Sequence, residues 1–159
     1  MPEPTIDFRQ RGMRTRIRYF FYGTLLDTEV QEVVFGRRLS PRQMIPAITT
    51  GYRRVYVKDA WYPTMAPHEG GFIDGMVVTG LTHEERGKVD WFEDDDYELR
   101  PVPVMIKGRE AGKALAYMPP AGSNAGDRTW TMSEWRQRFK RQFLLRSQRW
   151  MVSNFDPGW

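Results

Sequence analysis

The chain of 159 residues contains no cysteine and only two histidines. Disulfides and thiolate metal sites are thereby excluded, and a histidine-rich metal centre lacks ligands. The missing thiols agree with a reducing compartment. Long apolar runs are absent too. The strongest, Tyr19-Phe20-Phe21-Tyr22, is cut by Gly23 and Thr24 and followed by Asp27 and Glu29. It is too short and too polar for a signal core or a bilayer span, so the expectation is a cytoplasmic protein without a membrane partner. No stretch of about 20–50 residues repeats, which excludes a solenoid. Phosphate-loop, dinucleotide-binding and GxSxG patterns are missing as well, and His68 and His83 have no paired spacing. A Ser-His-Asp enzyme is not expected.

What is present begins with aromatics, 14% of the chain, enough apolar surface to argue against disorder. The length suits one domain. The net charge of +4 hides an asymmetry. Residues 9–18 hold five Arg and residues 136–149 six Lys or Arg, with no acid in either stretch, which leaves 13 basic against 20 acidic residues elsewhere, a net −7. An acidic body argues against nucleic acid as a partner, and no nucleic-acid-binding motif accompanies the basic ends. Their simplest role is a solvated surface.

Residues 1–16 read as a flexible basic arm, 17–152 as one domain and 153–159 as a tail. Ile17 to Tyr22 reads as a buried strand. Asp27 or Thr28 can cap a helix carrying Val30, Val33, Val34 and Phe35 that stops near Gly36. Met44–Thr49 and Tyr52–Val57 are strand-like and meet at Gly51. A loop with Pro63, Pro67, Gly70 and Gly71 is expected next, then a strand from Phe72 to Leu81. Thr82-His83-Glu84-Glu85 fits a capping box, with a helix to about Phe92. Val102, Val104 and Ile106 alternate, and Ala114–Met118 is a further strand. A second capping box, Thr131 to Glu134, opens a helix to about Met151 with Trp135, Phe139, Phe143 and Trp150 near its core face. This pattern predicts an α+β fold with a small curved or barrel-like sheet. The chain shows no heptad or obvious exposed apolar stripe, so a monomer is expected.

Two places can carry chemistry. In Tyr22-Gly23-Thr24-Leu25-Leu26 a strand ends in glycine and a helix opens shortly after. Converging backbone N–H groups there suit an anion such as a carboxylate, although an ordinary strand-to-helix turn reads the same way. The second place, Asp90-Trp91-Phe92-Glu93-Asp94-Asp95-Asp96-Tyr97-Glu98, holds six carboxylates in nine residues. Mutual repulsion and burial both raise carboxyl pKa values. Glu93 follows Trp91 and Phe92 at an apolar-to-polar border, where a carboxylate can be desolvated enough to act as a base near neutral pH. Asp94 to Asp96 are expected to face solvent. The run lacks EF-hand spacing, so no metal site is assigned to it.

Together the two sites resemble the gamma-glutamylcyclotransferase-like family, and more narrowly the branch first met in plants as pathogen-induced proteins. The similarity rests on a strand running into Tyr22-Gly23-Thr24-Leu25, then Asp90-Trp91-Phe92-Glu93-Asp94 and Tyr97 some 70 residues later. Tyr62-Pro63, the glycine-bearing strand Phe72–Leu81, Thr129-Trp130, Glu134-Trp135 and a terminal helix ending in Phe143-Leu144 extend it over roughly residues 17–150. The chain departs in having 21 residues before the Tyr-Gly-Thr-Leu loop, in Asp94 where many relatives have Gly, and in Leu99-Arg100 where relatives place Arg one position earlier. No role is assigned to Arg100.

The resemblance implies a small mixed β-barrel with flanking helices. It also implies an acyl-transferring cyclisation: the α-amine of a small gamma-glutamyl compound attacks its own γ-carbonyl, giving 5-oxoproline and a released amine. Glu93 is the implied general acid/base, and Gly23, Thr24 and Leu25 would hold the substrate carboxylate or the oxyanion. Tyr97 would donate a hydrogen bond to the substrate and Tyr22 would shape the pocket wall. Nucleophile and electrophile are already in one molecule, so neither cofactor nor metal is needed. Trp61, Tyr62 and the segment around Gly70 are expected at the rim. The competing expectation is a non-catalytic binding module on the same fold.

Overall fold

The structure is a computed structural model and describes residues 16–154. The predicted basic arm, apart from Arg16, and the end of the predicted tail lie outside the described residues. Among the described residues there are six strands and four α-helices.

The first strand, β1 (Tyr19–Phe21), is short and buried on both faces. Phe20 and Tyr22 turn to one apolar cluster, Tyr19 and Phe21 to another. This double burial is why the segment is uniformly apolar instead of alternating. β1 runs antiparallel to β3 (Pro63–Val78), with Tyr19 opposite Val78, and parallel to β5 (Arg109–Met118), with Tyr19 opposite Leu115. β5 forms a hairpin with β4 (Glu98–Ile106). β2 (Met44–Val57) touches β4 at Ile48 and Met105 and pairs along its length with β3. The sheet order β3-β1-β5-β4-β2 therefore returns to β3 and makes a ring, with β6 (Ala125–Thr129) attached outside it on β2. The α+β expectation holds, with the mixed sheet closed into a ring of strands.

One seam of the ring is loose for a chemical reason. The Pro103 carbonyl accepts the Thr49 hydroxyl at 2.7 Å, so that side of β4 faces β2. Pro101 and Pro103, two residues apart, both turn their N–H-less nitrogens toward β2, and proline cannot donate to a ladder. Val102 and Val104 between them are buried.

Three expectations need correction. The segment from Pro63 is strand, not loop. Tyr52 to Tyr56 pair with Pro67 to Pro63, Met44 to Thr50 pair with Val78 to Phe72, and the register slips between Thr50 and Tyr52. Gly51, at φ +87°, takes the left-handed conformation at that slip, opposite the extra residues His68–Gly71. β6 was not foreseen. The last helix is two: α3 (Met132–Arg138) and α4 (Lys140–Asn154) break at Phe139, whose φ of −126° is not helical.

The remaining helices follow their signals. α1 (Thr28–Phe35) is capped by Asp27 and closed by Gly36. α2 (His83–Glu93) carries the full capping box between Thr82 and Glu85. At α3 only half of the second box forms: Thr131 accepts from the Glu134 N–H at 3.2 Å, while the Glu134 carboxylate goes to Tyr56 and Arg128. Val30, Val34, Val89, Trp135 and Phe143 form the core between this helical layer and the ring. No helix among the described residues is long and apolar enough to cross a membrane.

Candidate active site

After β1 the chain turns sharply. Tyr22 is buried; its hydroxyl donates to the Tyr117 carbonyl at 2.5 Å and its carbonyl accepts from Arg54 at 2.9 Å. Gly23 follows against Pro63. A Cβ at Gly23 would stand 2.6 Å from the Pro63 ring, so only glycine lets the two segments approach. Thr24–Leu26 is a single 3₁₀ turn, closed by bonds from the Leu26 and Asp27 N–H groups back to Gly23 and Thr24. The Thr24 and Leu25 N–H groups take no part in those bonds, as the first donors of any helical turn do not. Buried Gln31 fixes the turn from behind, donating to Leu25 O and accepting from the Leu39 N–H, both at 2.9 Å.

Glu93 is the last residue of α2 and is half-buried. Burial pushes its carboxyl up to about 8, and the charges of Asp96 and Asp90 push the same way. The negative end of the α2 dipole adds to this disfavour of the carboxylate. Asp94 and Asp95 face solvent as expected, but Asp96 does not. It accepts the Tyr62 hydroxyl at 2.7 Å, and Asn124 holds its carbonyl at 3.0 Å.

Tyr97 donates to the Pro63 carbonyl at 2.5 Å and Tyr117 to Asp90 at 2.5 Å. The Tyr97 ring meets those of Tyr62 and Tyr117 at 6.2 and 6.3 Å. Burial raises the pKa of Tyr22, Tyr62, Tyr97 and Tyr117, so all four remain neutral donors. Tyr97 therefore braces the strand carrying Pro63, and its hydroxyl is already committed to protein.

These groups surround one cavity of about 750 Å³. Its wall includes the residues given a catalytic or binding role from the sequence, Tyr22, Gly23, Thr24, Leu25, Glu93 and Tyr97, along with Trp61 and Tyr62. Gly70 is not part of it; it sits in the β2–β3 bulge. Sequence reasoning missed Tyr117 on β5, and Gln142, Arg146 and Arg149 on α4, which also line the cavity. The α4 residues carry a signal only in hindsight, as a polar edge beside the Phe143 and Trp150 stripe. Trp150 is stacked on Trp91 at 4.9 Å, and its indole N–H donates to the Trp91 carbonyl at 3.0 Å, pinning α4 to α2. Among the described residues no three His, Asp or Glu side chains are grouped to hold a metal ion.

The chain is similar to known proteins in sequence and fold. A family model described as gamma-glutamyl cyclotransferase, AIG2-like, matches residues 19–137. AIG2-like protein C of Arabidopsis thaliana is 29% identical over 142 residues, covering 87% of this chain and 80% of that one. AIG2-like protein B of the same plant is 28% identical, covering 79% and 72%. An Arabidopsis protein solved in solution superposes with a TM-score of 0.59 at 25% identity over 87% of this chain and 83% of its own. A structure titled gamma-glutamyl cyclotransferase superposes at 0.51 with 18% identity over 64% and 65%, a likeness of fold.

Proposed function

Because the chain belongs to the gamma-glutamyl cyclotransferase, AIG2-like family, we propose that it cyclises the gamma-glutamyl group of a small amine or peptide to 5-oxoproline. The observation that carries this reading is Glu93. A carboxyl raised to about 8 lines a cavity whose wall also includes the Gly23–Leu25 turn.

The substrate enters with an α-ammonium, an α-carboxylate and a γ-amide. The Thr24 and Leu25 N–H groups suit the carboxylate or the oxyanion. Glu93 faces the nitrogen. At pH 7 the free protein holds Glu93 largely protonated; a cation placed beside it lowers its pKa, so the proton passes between ammonium and carboxylate with little change in free energy. An acid–base group titrating near the working pH is well matched to this task. The freed amine attacks the γ-carbonyl carbon and a C–N bond forms. The tetrahedral oxyanion collapses, the bond to the leaving nitrogen breaks as Glu93 gives its proton to that nitrogen, and the new ring nitrogen releases its second proton, which the released amine carries away as its ammonium. The products are 5-oxoproline and a free amine.

Tyr22 and Tyr62 wall the site, and Tyr97 holds Pro63 against Gly23. Holding a flexible glutamyl chain in its ring-closing pose can contribute effective molarities of about 10⁵–10⁸ M. The reading requires no resident cofactor and no nucleic acid. One copy of the chain supplies every residue it uses, which supports a monomer acting on a small-molecule substrate.

The test is 5-oxoproline release, followed by mass spectrometry, from a panel of gamma-glutamyl amines, amino acids and glutathione. Release by the wild type and a loss of about 10²–10⁴-fold in folded Glu93→Gln are expected. Equal product formation by that variant overturns the role of Glu93, and silence of the folded wild type across the panel overturns the reaction.

A further inference from the structure

The cavity carries a charge pattern that ring closure does not use. Glu93, Asp94 and Asp96 stand on its α2 side, and Arg146 and Arg149 line it from α4. Three residues apart on a helix, the two arginines share a face. Of the other cations of this segment, Arg136 and Lys140 pair with Asp27, Arg138 lies over Phe139, and Arg141, though unpaired among the described residues, does not line the cavity. Arg146 and Arg149 take part in none of the ion pairs or hydrogen bonds among the described residues. No carboxylate of the cavity is within ion-pair distance of either. Arg146 is near enough to Tyr62 for its charge to act on that hydroxyl, which puts it beside the tyrosine that Asp96 holds.

The glutamyl half of a substrate has one ammonium and one carboxylate; Glu93 takes the first, and the Thr24–Leu25 turn, in the carboxylate-holding one of its two roles, takes the second. Two guanidinium groups are left over. The cavity, at about 750 Å³, lies high in the range of about 300–1,000 Å³ that drug-sized ligands fill, so the site has room well beyond a glutamyl group. A guanidinium binds a carboxylate through paired N–H donors and gains nothing from an ammonium. A neutral or cationic leaving amine would leave both arginines unsatisfied.

We infer that Arg146 and Arg149 hold an anionic leaving portion, so that the preferred substrates are gamma-glutamyl amino acids or peptides with a free carboxylate, not gamma-glutamyl amines. This rests on the cyclotransferase reading. It makes the two arginines specificity-determining residues on a wall that the ring-closing chemistry does not touch. Both are solvent-exposed, so their contribution is partly screened.

A matched pair of compounds isolates the effect: gamma-glutamyl-alanine and gamma-glutamyl-alaninamide differ only in that carboxylate. Expected is a kcat/KM about 10-fold higher for the acid, carried by KM, as one partly screened charge-assisted contact gives. In Arg146→Ala/Arg149→Ala the two compounds should converge on one value. Equal use of both compounds by the wild type overturns the inference. So does a double variant that slows both in proportion, because the arginines would then hold the common glutamyl carboxylate. Calorimetric titration of both compounds into Glu93→Gln reads the preference without turnover. If neither compound releases 5-oxoproline from the wild type, the reaction fails. A binding preference for the acid that the added double substitution abolishes would still uphold the arginine site, and equal binding would overturn it.

Discussion

Glu93 holds its proton against its own solvation, and that has a thermodynamic cost. Its folded pKa of about 8 stands above its ordinary 4.5. Between those values the unfolded chain has released the proton and the folded one has not, so stability falls as pH rises through that window, and the cost is complete above about 8. Glu93→Gln should therefore raise the melting temperature relative to wild type at pH 8 and give little difference at pH 4. Thermal unfolding at the two pH values checks this; an equal difference at both would mean that the carboxyl is not destabilised by the fold. The sequence made this residue readable because the apolar pair Trp91-Phe92 precedes it. It did not make Asp96 readable, since nothing local says that Tyr62 reaches across 34 positions to bind it. Tyr117 on β5 is invisible for the same reason: only the packing of the α2 helix brings Asp90 beside it.

The site is assembled at the ends of elements, so the contacts that hold those elements control it. Asp27 shows how. It is 2% exposed, accepts from the Glu29 and Val30 N–H groups at the start of α1, and pairs with Arg136 at 3.2 Å and Lys140 at 2.9 Å. Burial raises its pKa, but the Lys140, backbone and Arg136 bonds outweigh burial and leave it below its ordinary value. Its stabilisation is thus present above about pH 4 and lost as pH falls through the folded value. Asp27→Ala removes a cap worth about 1 kcal/mol and a buried anion with two partly exposed partners. A loss of about 2–3 kcal/mol in urea unfolding at pH 7 is expected, with a shallower acid dependence than wild type. No loss would mean that α1 is held by its apolar face alone. Most element boundaries were legible because caps and glycines mark them. The failures share a cause. Pro63, Pro67, Gly70 and Gly71 look like loop chemistry, yet β2 pairs the two prolines and the residues beyond the glycines, leaving only His68–Gly71 as a bulge. The polar Ala125–Thr129 becomes strand only because an edge of β2 is open to it. The break at Phe139 has no proline or glycine to announce it.

At the scale of the molecule the cavity lies between two layers, with strands on one side and α2 and α4 on the other. A ligand seated there bridges both layers and stabilises the fold as a whole. In Glu93→Gln, where the compound is not consumed, a gamma-glutamyl compound at 100 times its Kd should add about 2.7 kcal/mol. That is a rise of several degrees in melting temperature for a chain of this size. An unchanged melting temperature at such a concentration would place the binding site elsewhere. On the helical side of the cavity α2 and α4 meet through the stacked pair Trp91 and Trp150, with ring planes 11° apart. Two indoles so close and so nearly parallel share their electronic excitation. The docking of the last helix is consequently written into the protein's ultraviolet spectrum: the pair's exciton contribution to circular dichroism is lost when α4 lifts, while that of Trp130 and Trp135 stays, giving a label-free optical readout of whether the site is assembled.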